Sequence, residues 1–122
     1  MIENVHGGEM KSIQALGAEA DSDAAWLDKE LRERGIVPVW NSDSVENAEV
    51  VLLCASENFD YGRLSEGQKS ALYKCWKRRV LIVAFDWRVI PVSLADVMAL
   101  DFANDRPGSL EKLIQAIDRF VA

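Results

Sequence analysis

Two runs of almost continuous apolar residues constrain the fold of this chain more than any other feature. They are AEVVLLCAS, residues 48–56, and VLIVAFD, residues 80–86. Strands of this kind are typical of a parallel sheet that helices cover on both faces. An amphipathic segment, Ser65–Arg79, lies between the two runs. We therefore expect an α/β domain with a central parallel sheet.

The rest of the chain predicts further strands and helices. The expected order is strand Lys11–Gly17, helix Ala24–Arg34, strand Ile36–Trp40, strand 48–56, helix Ser65–Arg79, strand Val80–Asp86, a short strand near Phe102 and a helix from about Pro107 onward. Gly35 follows the first helix and favours a left-handed cap. Ser65 and Gln68 have the spacing of a capping box at the second. Pro38 cannot donate to a ladder, so we expect its strand to lie at an edge or to carry a bulge.

The connection between the second and third predicted strands is unusually short. It spans Asn41–Ala48, only eight residues. A crossover between parallel strands normally takes about a dozen residues or more. We therefore expect the second crossover of the domain to be shortened to at most one turn of helix.

Length and charge limit the classes of protein that this chain can represent. Its 122 residues are enough for one domain. We expect residues 1–10 to form a flexible tail before a domain at 11–122, and from MIENVHGGEM we expect no secretory signal. No apolar run approaches the ~20 residues that span a bilayer, so we expect no membrane partner. The net charge of −6 disfavours nucleic acid as a partner.

The two cysteines and the single histidine exclude several kinds of active site. Cys54 and Cys75 lie among apolar residues, which predicts core positions and a reducing, cytoplasmic environment. His6 lies near the N-terminus, away from both. We therefore expect no Cys–His or Ser–His centre and no metal site. Any catalysis would depend on carboxylates, hydroxyls or backbone amides.

Two common α/β modules lack their characteristic residues here. Neither G-x-G-x-x-G nor G-x-x-x-x-G-K-[ST] occurs, so there is no glycine-rich phosphate loop. A receiver domain is also disfavoured. Asp86 ends a strand, but the acidic cluster and the lysine of a receiver are missing.

Three segments, in order, resemble the Toll/interleukin-1 receptor (TIR) domain, and bacterial members of that family in particular. They are DSDAAWLDKELRERGIVPVW with Asp23 and Trp26, NAEVVLLCASENF with Ser56, Asn58 and Phe59, and VLIVAFDWRVIPVSLADVMALDF with Ile90, Pro91, Leu94, Leu100, Asp101 and Phe102. The resemblance extends over about Lys11 to Val121. It implies a flavodoxin-like, three-layer fold.

The resemblance also implies two kinds of activity. TIR domains self-associate and act as signalling adaptors, and some cleave NAD⁺ at the nicotinamide–ribose bond with a glutamate at the start of a helix. Glu66 is the acid at the corresponding place, where a carboxylate could stabilise an oxocarbenium-like cation. The ligand pocket implied by the family would contain the following residues: Ala18, Glu19, Asp23, Ser56 and Asn58.

The chain departs from the family where NAD⁺ is cleaved. The pattern Ser-x-Trp-Cys-x-x-Glu is replaced by GRLSEG at 62–67. We therefore expect a signalling or defence domain that works through protein partners, either its own copies or another TIR-like or effector domain, with weak or no catalysis and no cofactor. The expected interaction surface comprises Trp40, Asn41, Asp43, Val45 and Trp87.

Two enzymatic alternatives remain open at the level of sequence. The first is an NAD⁺ glycohydrolase that uses Glu66, for which NAD⁺ would be the substrate. The second is a nucleoside deoxyribosyltransferase-like enzyme, although its Gly-Thr-x-x-Glu pattern does not occur in the chain.

Overall fold

The structure is a computed structural model that describes residues 11–18, 21–43, 45, 48, 50–73, 79–90 and 99–120. Its main elements are β1 (Lys11–Leu16), α1 (Ser22–Arg32), β2 (Ile36–Trp40), β3 (Val50–Ala55), α2 (Glu66–Tyr73), β4 (Arg79–Ala84), β5 (Ala99–Leu100) and α3 (Arg106–Phe120). Two single 3₁₀ turns, Tyr61–Arg63 and Trp87–Val89, follow β3 and β4.

The five strands form one parallel sheet in the order β2-β1-β3-β4-β5. This is the strand order of flavodoxin-like domains. The chain moves outward from β1 to β2 and then returns past β1 to β3, so the winding direction reverses between β1 and β3. The predicted α/β, flavodoxin-like, three-layer fold is confirmed.

Two apolar clusters fill the space on the two faces of the sheet. One joins α1 and α3 to the sheet through side chains such as Leu27 and Leu113. The other includes Leu72 of α2 and Leu53 of β3. All six residues of β3 are buried, as its unbroken apolar sequence predicted. Cys54 belongs to this strand, and burial, the main cause, raises the pKa of its thiol to about 12.

The second strand lies at the edge of the sheet, as Pro38 predicted. Lys11 N donates to Gly35 O, and Asn41 N donates to Ala15 O. Backbone groups alternate in direction along a strand, so residues 35, 37, 39 and 41 face β1. Pro38 therefore faces the free edge, where its missing N–H leaves no ladder bond unmade.

Helix boundaries follow the predicted caps with three corrections. Asp21 is the N-cap of α1, so the helix begins at Ser22 rather than Ala24. It ends at Arg32 rather than Arg34, shortly before Gly35, whose φ is +79°. Ser65 Oγ accepts from Gln68 N, and Gln68 Oε1 accepts from Ser65 N, which confirms the capping box. The predicted end of this helix at Arg79 is wrong, because Arg79 pairs with Val50 as the first residue of β4.

The connection from β2 to β3 is shortened as expected. Its described residues form tight turns, in which Val45 N donates to Ser42 O and Ala48 N donates to Val45 O. Val45 is fully buried and packs in the same cluster as Leu53 and Leu72. The prediction that Val45 lies on an interaction surface is therefore wrong. It is the apolar anchor that attaches the short connection to the core.

None of the described helices combines the length and the apolar character that a membrane crossing requires. The predictions for His6 and Cys75 fall outside the described residues.

Candidate functional site

A crevice opens at the carboxyl edge of the sheet, where the winding direction reverses between β1 and β3. Its volume is about 560 Å³. The residues that line it come from the ends of three strands and from the start of α2: Gly17, Ala18, Asn41, Asn58, Phe59, Asp60, Arg63, Leu64 and Gln68. Open α/β sheets bind ligands at such a switch point. The crevice is therefore the candidate ligand site of this domain.

Asn41 joins the ends of β1 and β2 at the floor of the crevice. Its Oδ1 accepts from Gly17 N at 3.1 Å, and its Nδ2 donates to Gly17 O at 2.9 Å. Its φ is 55°, in the left-handed region that asparagine tolerates better than most residues. Asn41 was predicted as part of an interaction surface, whereas the structure places it among the residues that line the crevice.

Gly17 is required by the close approach of Trp40. A Cβ at position 17 would lie 2.9 Å from Trp40 Cζ3 and 3.2 Å from Cys54 Cβ. The indole of Trp40 is fixed because its Nε1 donates to Asp28 Oδ1 at 2.9 Å. Trp40 is thus partly buried against the core. It lines a second cavity, of about 230 Å³, beside α1.

Asp21 ties the start of α1 to the loop after β3. It is only 4% exposed, and its two oxygens accept from Asp23 N at 2.8 Å and from Asn58 N at 3.1 Å. Burial opposes ionisation, but the Ser56 hydroxyl and these N–H groups outweigh it and lower the pKa of Asp21. Ser56 Oγ has no partner with full hydrogen-bond geometry among the described residues, so the bonds from Asp23 N and Asn58 N are the firmer cause of the lowered pKa.

The start of α2 is attached to the end of β2. Gln68 is 7% exposed, and its Nε2 donates to Asn41 O at 2.8 Å. Ser65 Oγ donates to Asp43 Oδ1 at 3.3 Å. The capping box therefore has a second role. The two side chains that cap the start of α2 also attach this helix, and with it one side of the crevice, to the residues that follow β2.

Glu66 lies in the first turn of α2 but is exposed and is not among the residues that line the crevice. The carboxylate that does line it belongs to Asp60, which sequence reasoning missed. Asp60 Oδ1 accepts from Gly62 N at 2.9 Å, and Oδ2 lies 3.6 Å from Arg63 Nε. The pair Asp60 and Gly62 is typical of an Asx turn, so the turn was predictable from sequence although the cavity was not.

The pocket residues that the family resemblance implied are not all brought together. Ala18 and Asn58 line the crevice, whereas Ser56 is fully buried beneath it. Asp23 instead makes an ion pair with Arg106 at the start of α3. Glu19 lies outside the described residues.

Arg106 connects α3 to an aromatic cluster beside the sheet. Its guanidinium carbon lies 5.0 Å from the ring centroid of Trp26 and 4.9 Å from that of Phe85. Together with the Asp23 carboxylate, these rings surround the cation with two π faces and one counter-charge. The arrangement packs α1 against α3 and gives Asp23 a structural contact.

Trp87 is the most exposed large apolar side chain that the described part of the chain contains, at 48%. Its Nε1 donates to Asp101 Oδ1 at 3.1 Å. Asp86 caps the turn by accepting from Arg88 N, and its carboxylate also pairs with the Arg88 side chain at 2.7 Å. Hydrogen bonding to Arg88 lowers the pKa of Asp86 to about 2. The Trp87 indole is anchored at its Nε1 to the Asp101 carboxylate.

Within the residues that the structure describes, no group of three or more His, Cys, Asp or Glu side chains could hold a metal ion. Comparisons of the chain with protein-family models, with curated proteins and with solved structures found no match.

Proposed function

We propose that this chain is a TIR-like signalling or defence domain that acts by docking to protein partners and has weak or no catalytic activity. The observation that carries the proposal is the position of Glu66. This carboxylate is exposed and lies outside the crevice in which a nucleotide would bind.

Cleavage of a ribosyl bond needs a carboxylate within reach of the carbon that becomes cationic. Asp60 is the carboxylate nearest to that role, but its oxygens already face Gly62 N and the Arg63 side chain. Both Asp60 and Arg63 are well exposed to water. A solvated, internally compensated carboxylate offers little of the preorganised field on which such catalysis depends.

The edge of the sheet supports docking. Val39 of β2 is 36% exposed. Its neighbours Ile36 and Trp40 pack toward α1, so alternation along the strand turns Val39 toward the opposite face. That face is the one from which the shortened crossover has removed a helix. An exposed apolar side chain on a face of the sheet where the helical layer is incomplete is typical of a protein contact surface.

The proposal is tested by incubating concentrated protein with NAD⁺ and measuring released nicotinamide, with light scattering on the same samples. We expect self-association without nicotinamide release above the rate in buffer. A monomer that turns over NAD⁺ efficiently would overturn the proposal.

NAD⁺ glycohydrolysis is the second candidate, and the crevice volume favours it. A cavity of about 560 Å³ falls within the range of about 300–1,000 Å³ typical of small-molecule sites. The variants Glu66→Ala and Asp60→Ala separate the two carboxylates, with exposed Glu111→Ala as a matched control. Release abolished by Glu66→Ala alone would support the family-like assignment. Release abolished by Asp60→Ala alone would assign the chemistry to the crevice carboxylate.

A further inference from the structure

The turn Trp87–Val89 and the loop after β5 together present an aromatic face beside a carboxylate. Asp101 Oδ1 accepts from Trp87 Nε1, and Asp101 Oδ2 accepts from Asn104 Nδ2 at 2.8 Å. Hydrogen bonds from Asn104 and then Trp87 lower the pKa of Asp101, so its carboxylate is ionised at neutral pH. All of these donors are uncharged. Within the described ranges, no cation pairs with Asp101.

Arg88 directly follows Trp87 in the chain, and its charge is already compensated by the carboxylate of Asp86. Its Nε and Nη2 donate to the two oxygens of Asp86, at 2.9 Å and 2.7 Å. A positive group that approached Trp87 would therefore be attracted by the uncompensated negative charge of Asp101. The ion pair of Arg88 and Asp86 would contribute little, because its two charges compensate each other. The net charge of −6 on the whole chain adds to the attraction.

Elsewhere in the protein, one guanidinium contacts both an indole ring and a carboxylate. Arg106 lies over the Trp26 ring while it pairs with the Asp23 carboxylate. Trp87 and Asp101 repeat two of those three components, an indole face and a carboxylate, at the surface. The component that is missing there is the guanidinium.

We propose that Trp87 and Asp101 form a docking site for a basic segment of a protein partner, with an arginine side chain stacked on the indole and attracted by Asp101. This inference rests on the proposed docking function and names the chemistry of the partner. Arginine is preferred to lysine because its planar guanidinium stacks on an aromatic face. The indole is already held by Asp101, so little conformational freedom is lost on binding.

The test titrates ¹⁵N-labelled protein with acetyl-tetraarginine amide and follows the four indole N–H resonances by NMR. Trp87→Phe identifies the Trp87 resonance. We expect this resonance to shift saturably, more at low salt than at high salt. Acetyl-tetralysine amide should bind more weakly, and acetyl-tetraglutamate amide should produce no shift.

Two variants and one control assign the effect. Trp87→Ala has no Trp87 indole resonance, so its titration is followed by the backbone N–H of Arg88. This variant should weaken tetraarginine binding by about twofold to fivefold, the scale of one exposed cation–π contact. Asp101→Asn keeps an acceptor for the indole but removes the charge, and it should weaken binding by about twofold to fivefold. Glu111→Gln removes an exposed charge from α3 and should leave binding unchanged.

Three results would overturn the site: no shift of the Trp87 resonance at millimolar peptide, an equal shift with tetraglutamate, or equal losses for Asp101→Asn and Glu111→Gln. The assay contains no NAD⁺. If the protein cleaved NAD⁺ efficiently and still bound tetraarginine at Trp87, the proposed function would be wrong and this docking site would stand. If the protein self-associated without cleaving NAD⁺ and did not bind the peptide, the docking site would be wrong and the proposed function would stand.

Discussion

The Asn41 side chain is hydrogen-bonded to both backbone groups of Gly17, although the two residues are 24 positions apart. These bonds connect the ends of β1 and β2 at the crevice. They also explain why a residue with a φ of 55° is held there. The backbone strain at Asn41 is compensated by contacts that only an amide side chain supplies in both directions.

Asn41→Ala should destabilise the protein by roughly 2–3 kcal/mol. The variant loses both hydrogen bonds, and alanine has no polar side chain to compensate for the left-handed backbone conformation at this position. Asn41→Gly loses the same bonds but adopts this φ without strain, so it should cost about 1 kcal/mol less. Urea unfolding at neutral pH measures both. If glycine were the more damaging replacement, the positive φ would not be the source of the cost.

Gly17→Ala should destabilise the fold by more than about 1 kcal/mol, because the new Cβ would collide with a Trp40 ring that Asp28 holds in place. Gly62→Ala is the matched control, since its Cβ would meet only an Asp60 side-chain oxygen at 3.2 Å. Thermal unfolding compares the two variants. Equal midpoints would show that Trp40 moves aside freely.

Gln68 has two roles that single substitutions separate. Gln68→Glu keeps an oxygen for Ser65 N but cannot donate to Asn41 O, whereas Gln68→Ala loses both contacts. We expect costs of about 1 kcal/mol for the first and about 2 kcal/mol for the second in urea unfolding. A harmless Gln68→Glu would mean that the contact with Asn41 contributes nothing to stability.

Asp21 should give the protein an acid-sensitive stability. Its pKa is lowered in the folded state, so the folded form favours the charged carboxylate. The resulting stabilisation is complete above the ordinary unfolded pKa of about 3.9 and is lost as pH falls through the lower folded value. The stability difference between wild type and Asp21→Asn should therefore be constant near pH 6–7 and shrink below about pH 4.

The pH dependence of Asp21→Asn has a matched control in Glu111→Gln, an exposed carboxylate on α3. A residual penalty should persist for Asp21→Asn at every pH, because asparagine cannot accept from Asp23 N and Asn58 N with two oxygens. A difference from wild type that grew on acidification would contradict the lowered pKa.

Features of the fold that depend on local sequence were predictable. The apolar run of β3 predicted a strand buried on both faces, Pro38 predicted an edge, and Ser65 with Gln68 predicted the start of α2. Each of these follows from backbone geometry or from residues a few positions apart. The end of α2 was predicted less well, because the basic residues near Arg79 are compatible with either a helix end or the start of a strand.

The crevice was not predictable in the same way, because its lining comes from separate segments that only the strand order brings together. Asp23 illustrates the difficulty: its partner Arg106 is 83 positions away, and nothing near Asp23 in sequence indicates an ion pair. Val45 shows the opposite case. Its polar neighbours suggested a surface position, although an isolated apolar residue in a short connection is a natural anchor to the core.

The orientation of Pro38 limits how this domain can associate with others. An exposed edge strand normally offers its unpaired N–H and C=O groups to any extended chain, which is the first step toward fibrils. Here the central N–H on the free side of β2 does not exist, so an added strand would lack a bond in the middle of its ladder. Pairing of a further strand along this edge is therefore disfavoured, which protects the sheet from templated aggregation.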